Sequence, residues 1–189
     1  WRGMLLIPWV IPPALSTLGW WWLFEPTYSA LNWFLKEISL PAIPWLSETF
    51  WARFSIILVN IWVGAPFFLI MYLAALKSIP ADLYEAASID GANYKQKLYY
   101  ITLPMMKNII SITILFSIIV TFANFDIVRV LTRGGPIDTT HLFATYAFRV
   151  GIESGDIPLG AAVSLFMFPI LGTLAFIILR SVRKRAMEV

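Results

Sequence analysis

From Glu85 to Pro104 the chain reads EAASIDGANYKQKLYYITLP. This polar interval separates two strongly apolar stretches, and what flanks it decides the fold. Upstream, Phe54 to Leu76 is long enough as a helix to cross a hydrocarbon layer about 30 Å thick, which takes roughly 20 apolar residues. Downstream, Asn108 to Phe125 is the shortest run that qualifies. Farther out, Met4 to Phe24 and Leu159 to Leu179 complete four expected spans, with a loop from Glu25 to Arg53 after the first. The polar segment runs from Lys77 to Lys107, and a second loop from Asp126 to Pro158 precedes the last span. The expected fold is all-α: a polytopic transmembrane helical bundle in which all 189 residues belong to one membrane domain.

Composition agrees. Hydrophobic residues make up 59% of the chain and charged ones 13%, against roughly 25% charged in soluble domains. Mean hydropathy is +0.76. Trp1 and Arg2 lead directly into an apolar run with no signal-cleavage pattern, so the chain is expected to be a fragment of a longer protein. The absence of cysteine excludes disulfides and thiolate metal sites. The single histidine, His141, lacks companions for a metal site and reads as a surface residue; no metal is expected. No basic and aromatic pattern suggests nucleic acid. No glycine is followed by lysine, so the phosphate-binding loop G-x-x-x-x-G-K-[ST] is missing and the chain should not hydrolyse ATP by itself.

Basic residues orient the spans, because Lys and Arg are retained on the cytoplasmic side. Arg2, the Lys77 to Lys107 segment and the tail RSVRKRAMEV hold nine of them, against five in the two remaining loops, which together are longer. The Glu85 to Pro104 stretch and the C-terminus are therefore expected in the cytoplasm. Trp20, Trp21, Trp22, Trp33, Trp45 and Trp51 cluster around the first outer loop, where amphipathic rings favour the membrane interface.

Within the polar segment, Ser78 is placed to cap a helix with Pro80 in its first turn, and Asp82 and Glu85 lie early enough to favour its dipole. Ile79, Leu83, Ala86 and Asp90 share a face. A helix of about ten residues is marginal alone in water, so it needs something to dock against. Gly91 supplies a left-handed stop, and a second helix from Ala92 to Thr102 is expected to end at Pro104. An ordinary interfacial helix would satisfy the same physics.

The spacing of Glu85-Ala86-Ala87, Asp90-Gly91-Ala92 and Ile101-Thr102-Leu103-Pro104 resembles the EAA loop of permease subunits in binding-protein-dependent ABC importers. IPWVIPPALSTLGWWWLFEPTYSALNWFL and LTRGGPIDTTHLFATYAFRVG extend the resemblance to the sugar-importer branch, related to the membrane subunits of the maltose transporter. That resemblance implies one permease domain of the cell inner membrane with the coupling loop at 77–107 inside and the 126–158 loop outside. Its coupling helix, carrying Glu85, Ala86, Ala87, Asp90 and Gly91, would enter a cleft on the ATPase. The implied partners are a second permease subunit, two cytoplasmic ATPase subunits, an extracytoplasmic solute-binding protein and membrane lipid. No cofactor is expected on this chain, with ATP and Mg on the ATPase. The implied function is translocation of a carbohydrate or related polyol. An ion-coupled secondary transporter is disfavoured because the four spans contain no Asp, Glu, Lys, Arg or His, which such carriers use as relays. A non-transporting membrane scaffold is the other alternative.

Thr113, Ser117, Thr121 and Asn124 recur along one face of the third span, and Asn60 lies on the second. They are candidates to line a pathway for a hydroxylated solute, or to pack helices by hydrogen bonding in lipid. Pro8, Pro12, Pro13, Pro66 and Pro169 are expected to kink spans. In the outer loop, Gly134-Gly135-Pro136 makes a turn, and Thr139 or Thr140 can cap a helix through about Val150. Arg133, Asp138 and Arg149 are candidates for contact with the binding protein or are simply solvated.

Overall fold

The computed structural model describes residues 3–186, with side chains to Arg180, and contains no strand among them. A single 3-10 turn, Met4–Leu6, and α1 (Ile7–Val10) precede α2 (Pro13–Phe24). The two helices meet at 106°, so the expected first span from Met4 to Phe24 is sharply bent at prolines expected to kink it. Adjacent prolines explain the break: each removes an N–H, and each forces the preceding residue to an extended conformation. Ile11 and Pro12 accordingly take ψ values of 132° and 130°. At about 1.5 Å per residue, α2 alone is too short to cross the hydrocarbon layer.

Beyond a turn in which the Glu25 carboxylate accepts from the Thr27 and Tyr28 N–H groups at 2.8 Å each, α3 (Ala30–Glu37) begins. Ser29 caps it, accepting from Asn32 N–H at 3.0 Å and donating to Leu23 O at 2.7 Å. Asn32 then holds the following loop with its amide. It donates to Ile43 O and accepts from Ile43 N–H and Trp45 Nε1–H, all at 3.0 Å.

Long helices follow. α4 (Thr49–Lys77) passes through Pro66 without interruption. α5 (Ala81–Ile89) and α6 (Tyr94–Lys97) occupy the polar segment, and a π-helical turn, Leu98–Thr102, joins α6 to α7 (Leu103–Phe122). Pro104 therefore sits at the start of a continuing helix instead of ending one. The wide turn before it accommodates its missing N–H, and Tyr94–Phe122 is long and apolar enough to cross a membrane as a whole. α8 (Asp126–Leu131), α9 (Phe143–Phe148) and a second π turn, Arg149–Glu153, lead to α10 (Ile157–Ala186), which contains Pro169. Thr49–Lys77 and Ile157–Arg180 also meet the membrane-crossing criteria, giving three such helices among the described residues, or four if the bent pair counts as one span.

The chain divides into two compact units, one made of the chain up to Pro66 with Ile119–Leu171, the other of Phe67–Ile118 with the chain from Gly172. In the first, Phe24, Val59, Ile127 and Leu131 are buried together with Trp20 and Trp45 packed on them. Trp20 stacks on Phe24 at 5.5 Å and meets Trp62 edge-on at 5.6 Å, while Trp45 lies 5.4 Å from Phe24. These two tryptophans are half-buried against the core, unlike the exposed Trp22 and Trp33. In the second unit Ala75, Ile79 and Met106 are buried beneath Tyr72, Tyr84, Ile101, Ile109 and Ile110. Along α10, Leu165, Phe166 and Phe168 are exposed, an apolar surface suited to lipid or to another membrane helix.

Candidate functional site

α5 leaves Glu85, Ala86, Asp90 and Gly91 exposed and Ala87 half-buried. Ile89, an apolar residue, is 87% exposed. Pro80, with ψ of 134°, occupies the cap position. Ser78, expected to cap this helix, instead donates to Ala75 O at 2.8 Å and so closes the end of α4. After α5, Asp90 N–H bonds Ala86 O and Ala92 N–H bonds Ala87 O, and Gly91 takes the left-handed conformation with φ of +76°. No atom lies within 4 Å of a Cβ built there, so the demand for glycine comes from the backbone angle. Asn93 and Gln96 then form a reciprocal capping box that starts α6.

What holds α5 in place is a set of residues that the sequence did not single out. The Tyr84 ring packs on the Ala75, Ile79 and Met106 cluster, and its hydroxyl lies 2.8 Å from Thr102 Oγ1. Lys97 Nζ donates to Ser88 Oγ at 2.6 Å, and Ser88 Oγ donates to Tyr84 O at 2.7 Å. A shallow hollow between these elements is lined by Ala87, Ala92, Gln96, Lys97, Tyr100 and Ile101. Thr102 stands in the variable position of the I-x-L-P motif, which is the one sequence signal that could have pointed to it.

The span candidates separate into different environments. Asn60 Nδ2 donates to Thr121 Oγ1 at 3.4 Å, with both side chains half-buried. Thr113 is fully buried, 3.2 Å from Tyr72 Oη and bonded to Ile109 O and Ile110 O. Ser117 is half-buried on α7. Asn124 lies beyond the end of α7, where its Oδ1 accepts from Ile127 N–H at 3.2 Å and helps to start α8, so it does not continue the helical face of the other three.

The 126–158 segment is a knot of short elements. Thr132 and Thr140 hydroxyls lie 2.8 Å apart, Thr140 Oγ1 donates to Gly135 O at 2.6 Å, and Thr139 Oγ1 donates to Pro136 O at 2.6 Å. Neither Thr139 nor Thr140 caps a helix as expected; Thr145 Oγ1 accepts from Leu142 N–H at 2.9 Å at the start of α9. His141, expected at the surface, keeps only 7% of its side chain exposed. Its ring covers Gly134, where a Cβ would lie 2.1 Å from Nε2. Asp138 pairs with Arg149, whose Nη1 is 3.3 Å from His141 Nε2, so two of the expected charged residues serve the loop's own structure. Arg133 is exposed. Arg129 pairs with Glu153 at 2.5 Å and lies 5.0 Å over the Phe148 ring, a bridge that sequence reading missed. An apolar hollow of ≈ 470 Å³ opens between Thr121, Phe122, His141, Leu142, Phe143 and Tyr146. No cluster of His, Cys, Asp and Glu suited to a metal occurs among the described residues.

Three helices of membrane-crossing length, with the short exposed helix α5 between two of them, are the architecture of a helical membrane protein. The chain belongs to the family described as the binding-protein-dependent transport system inner membrane component, which matches residues 1–188. It is 34% identical over 184 residues to the trehalose/maltose transport system permease protein MalF of Thermococcus litoralis, covering 97% of this chain and 62% of that protein. It is 32% identical to the maltose/maltodextrin transport system permease protein MalF of Escherichia coli, covering 97% of this chain and 38% of the relative. The chain thus spans less than two thirds of these relatives' length. A solved bacterial ABC transporter involved in the import of the acidic polysaccharide alginate superimposes with a TM-score of 0.85 at 26% identity, covering 97% of this chain and 64% of that one. The same figures hold for that transporter in complex with its alginate pentasaccharide-bound periplasmic protein.

Proposed function

We propose that this chain is the translocation subunit of an ATP-driven importer for a carbohydrate or related polyol, working with a second permease subunit, two cytoplasmic ATPase subunits and an extracytoplasmic solute-binding protein. ATP and Mg act on the ATPase, and this chain is not an enzyme. α5 is its coupling helix, with Glu85, Ala86, Ala87, Asp90 and Gly91 at the ATPase contact. The observation that carries the reading is the outward presentation of α5: nine residues, too few for a stable helix alone, with Glu85, Ala86 and Ile89 unprotected. Small side chains permit close approach, and Ile89 gives the partner an apolar surface to cover.

The substrate class rests on the maltose, trehalose and alginate of the similar proteins' names, and the binding protein on the complexed alginate transporter. Residues 77–107 and the C-terminus lie in the cytoplasm and 126–158 outside, as the distribution of basic residues favours. ATP binding selects between inward-open and outward-open packings by binding one better than the other. Asn60, Thr121 and Ser117 are the pathway residues, where paired amide and hydroxyl groups can exchange partners with a sugar. Thr113, fully buried, and Asn124, which lies beyond α7, contribute to packing and helix initiation.

Reconstitution of the complete complex in proteoliposomes tests the whole reading. ATP hydrolysis should rise only when the binding protein and its solute are both present, with solute uptake following. Uptake driven by an ion gradient without ATP would replace the importer with an ion-coupled carrier.

A further inference from the structure

Two hydrogen-bonded struts tie α5 to the end of α6 and to the π turn that leads into α7, and both run between the same two residues, Tyr84 and Lys97. In the first, Thr102 Oγ1 donates its single proton to Lys97 O at 3.3 Å, so it must accept from the Tyr84 hydroxyl 2.8 Å away. In the second, Lys97 Nζ, which can only donate, bonds Ser88 Oγ, whose own proton goes to Tyr84 O. Tyr84 and Lys97 are therefore joined by side chains at both ends. One attachment would leave α5 free to swivel, whereas two fix its angle.

The location matters as much as the bonding. The turn Leu98–Thr102 is π-helical, Leu103 N–H donates to Leu98 O, and Pro104 has no N–H to offer the preceding turn. This is where a long helix would flex. The Thr102 hydroxyl bridges that turn, and at 8% exposure it does so away from competing water. None of Glu85, Ala86, Asp90 or Gly91 takes part.

We infer that Tyr84, Ser88, Lys97 and Thr102 form a clamp that makes α5 and the start of α7 one rigid body, with Tyr84 and Thr102 as positioning residues that stop the π turn from absorbing movement delivered to α5. The inference rests on the coupling role proposed for α5.

Spin labels at Leu83→Cys and Met105→Cys, both exposed, report the angle directly in the complete complex with its ATPase. The native clamp should give one narrow distance distribution that is the same with and without ATP and Mg. Tyr84→Phe and Thr102→Val each remove one hydroxyl, and each should lose the narrow peak; the double variant should be no broader than Thr102→Val, which by itself loses both the Tyr84 bond and the bond to Lys97 O. Ser88→Ala, on the exposed strut, should broaden it less and guards against a folding defect in the buried pair. A native distance that shifts on adding ATP overturns the rigid body. Variants that stay narrow, or that lose only abundance, overturn the clamp. Gly91→Pro in the same complex separates the two readings: unchanged ATPase assembly and coupled hydrolysis would remove the coupling role of α5, whereas their loss beside narrow clamp variants would remove the clamp alone.

Discussion

At His141, burial and neighbouring charges act on one imidazole from several sides. Loss of solvent lowers its pKa below the ordinary 6.5, and Arg149 and Arg129 push the same way, while Asp138 and Glu153 oppose them. Burial dominates, so the folded loop favours the neutral ring, which Thr145 Oγ1 meets at Nδ1 at 3.1 Å and Tyr146 meets edge-on. The unfolded loop takes up a proton near pH 6.5 and the folded one only at lower pH, so the folded loop is at full stability above 6.5 and weakens as pH falls below it. Thermal unfolding of the detergent-solubilised complex between pH 7.5 and 5 should show this acid loss, and His141→Gln should flatten it; an identical slope in the variant would remove His141 as its source. Nothing in the sequence signalled this burial. A lone histidine carries no periodicity, and the space for its ring comes from Gly134, seven residues earlier in a turn that folds back under it.

Among the elements, the entry to α10 is set by two glycines. A Cβ on Gly160 would lie 2.5 Å from Gly151 Cα, 2.8 Å from Gly151 N and 2.9 Å from Ala147 O. All three are backbone atoms that cannot turn aside, and such close approach of small residues is how helices pack in a membrane. Gly160→Ala should cost about 1–3 kcal/mol through overpacking and lower abundance and detergent stability, whereas Gly172→Ala, with nothing within 4 Å of its Cβ, should not. Equal stability of the two variants would refute the contact. Element boundaries were legible where a local rule governs, as at Pro12-Pro13 and Gly91. They were misread where a hydroxyl had a choice of carbonyls, as at Ser78, Thr139 and Thr140, since the winning acceptor depends on how the turn folds.

For the molecule as a whole, the proposed function requires that α5 and the 126–158 segment face opposite sides of the membrane. The chain has no native cysteine, so single introduced thiols report sidedness cleanly. Tyr94→Cys, beside α5 at a position 80% exposed, should react with an impermeant thiol reagent from the cytoplasmic side alone, and Ile137→Cys, at one 91% exposed, from outside alone. Labelling of both from one side would invert or abolish the proposed topology, and with it the importer reading. The exposed apolar flank of α10 belongs to this scale as well: its chemistry suits lipid or another membrane helix, and the chain covers less than two thirds of the relatives it matches.

Hydrophobic length and backbone chemistry are local properties, and they determined the helical membrane class, the polar interval between spans and the left-handed turn at Gly91 before any partner was known. Side-chain pairing is not local. Trp20 and Trp45 turned inward onto Phe24, although their composition suits the membrane interface equally well. Thr113 found Tyr72, Asn60 found Thr121, and Tyr84 found Thr102 across 18 positions of chain, each selected from many possible donors and acceptors by where the backbone left room. Tertiary structure decided those matches because a buried hydroxyl or amide must be satisfied by whatever polar group the packing brings within about 3 Å, and the linear order of residues does not specify which one that is.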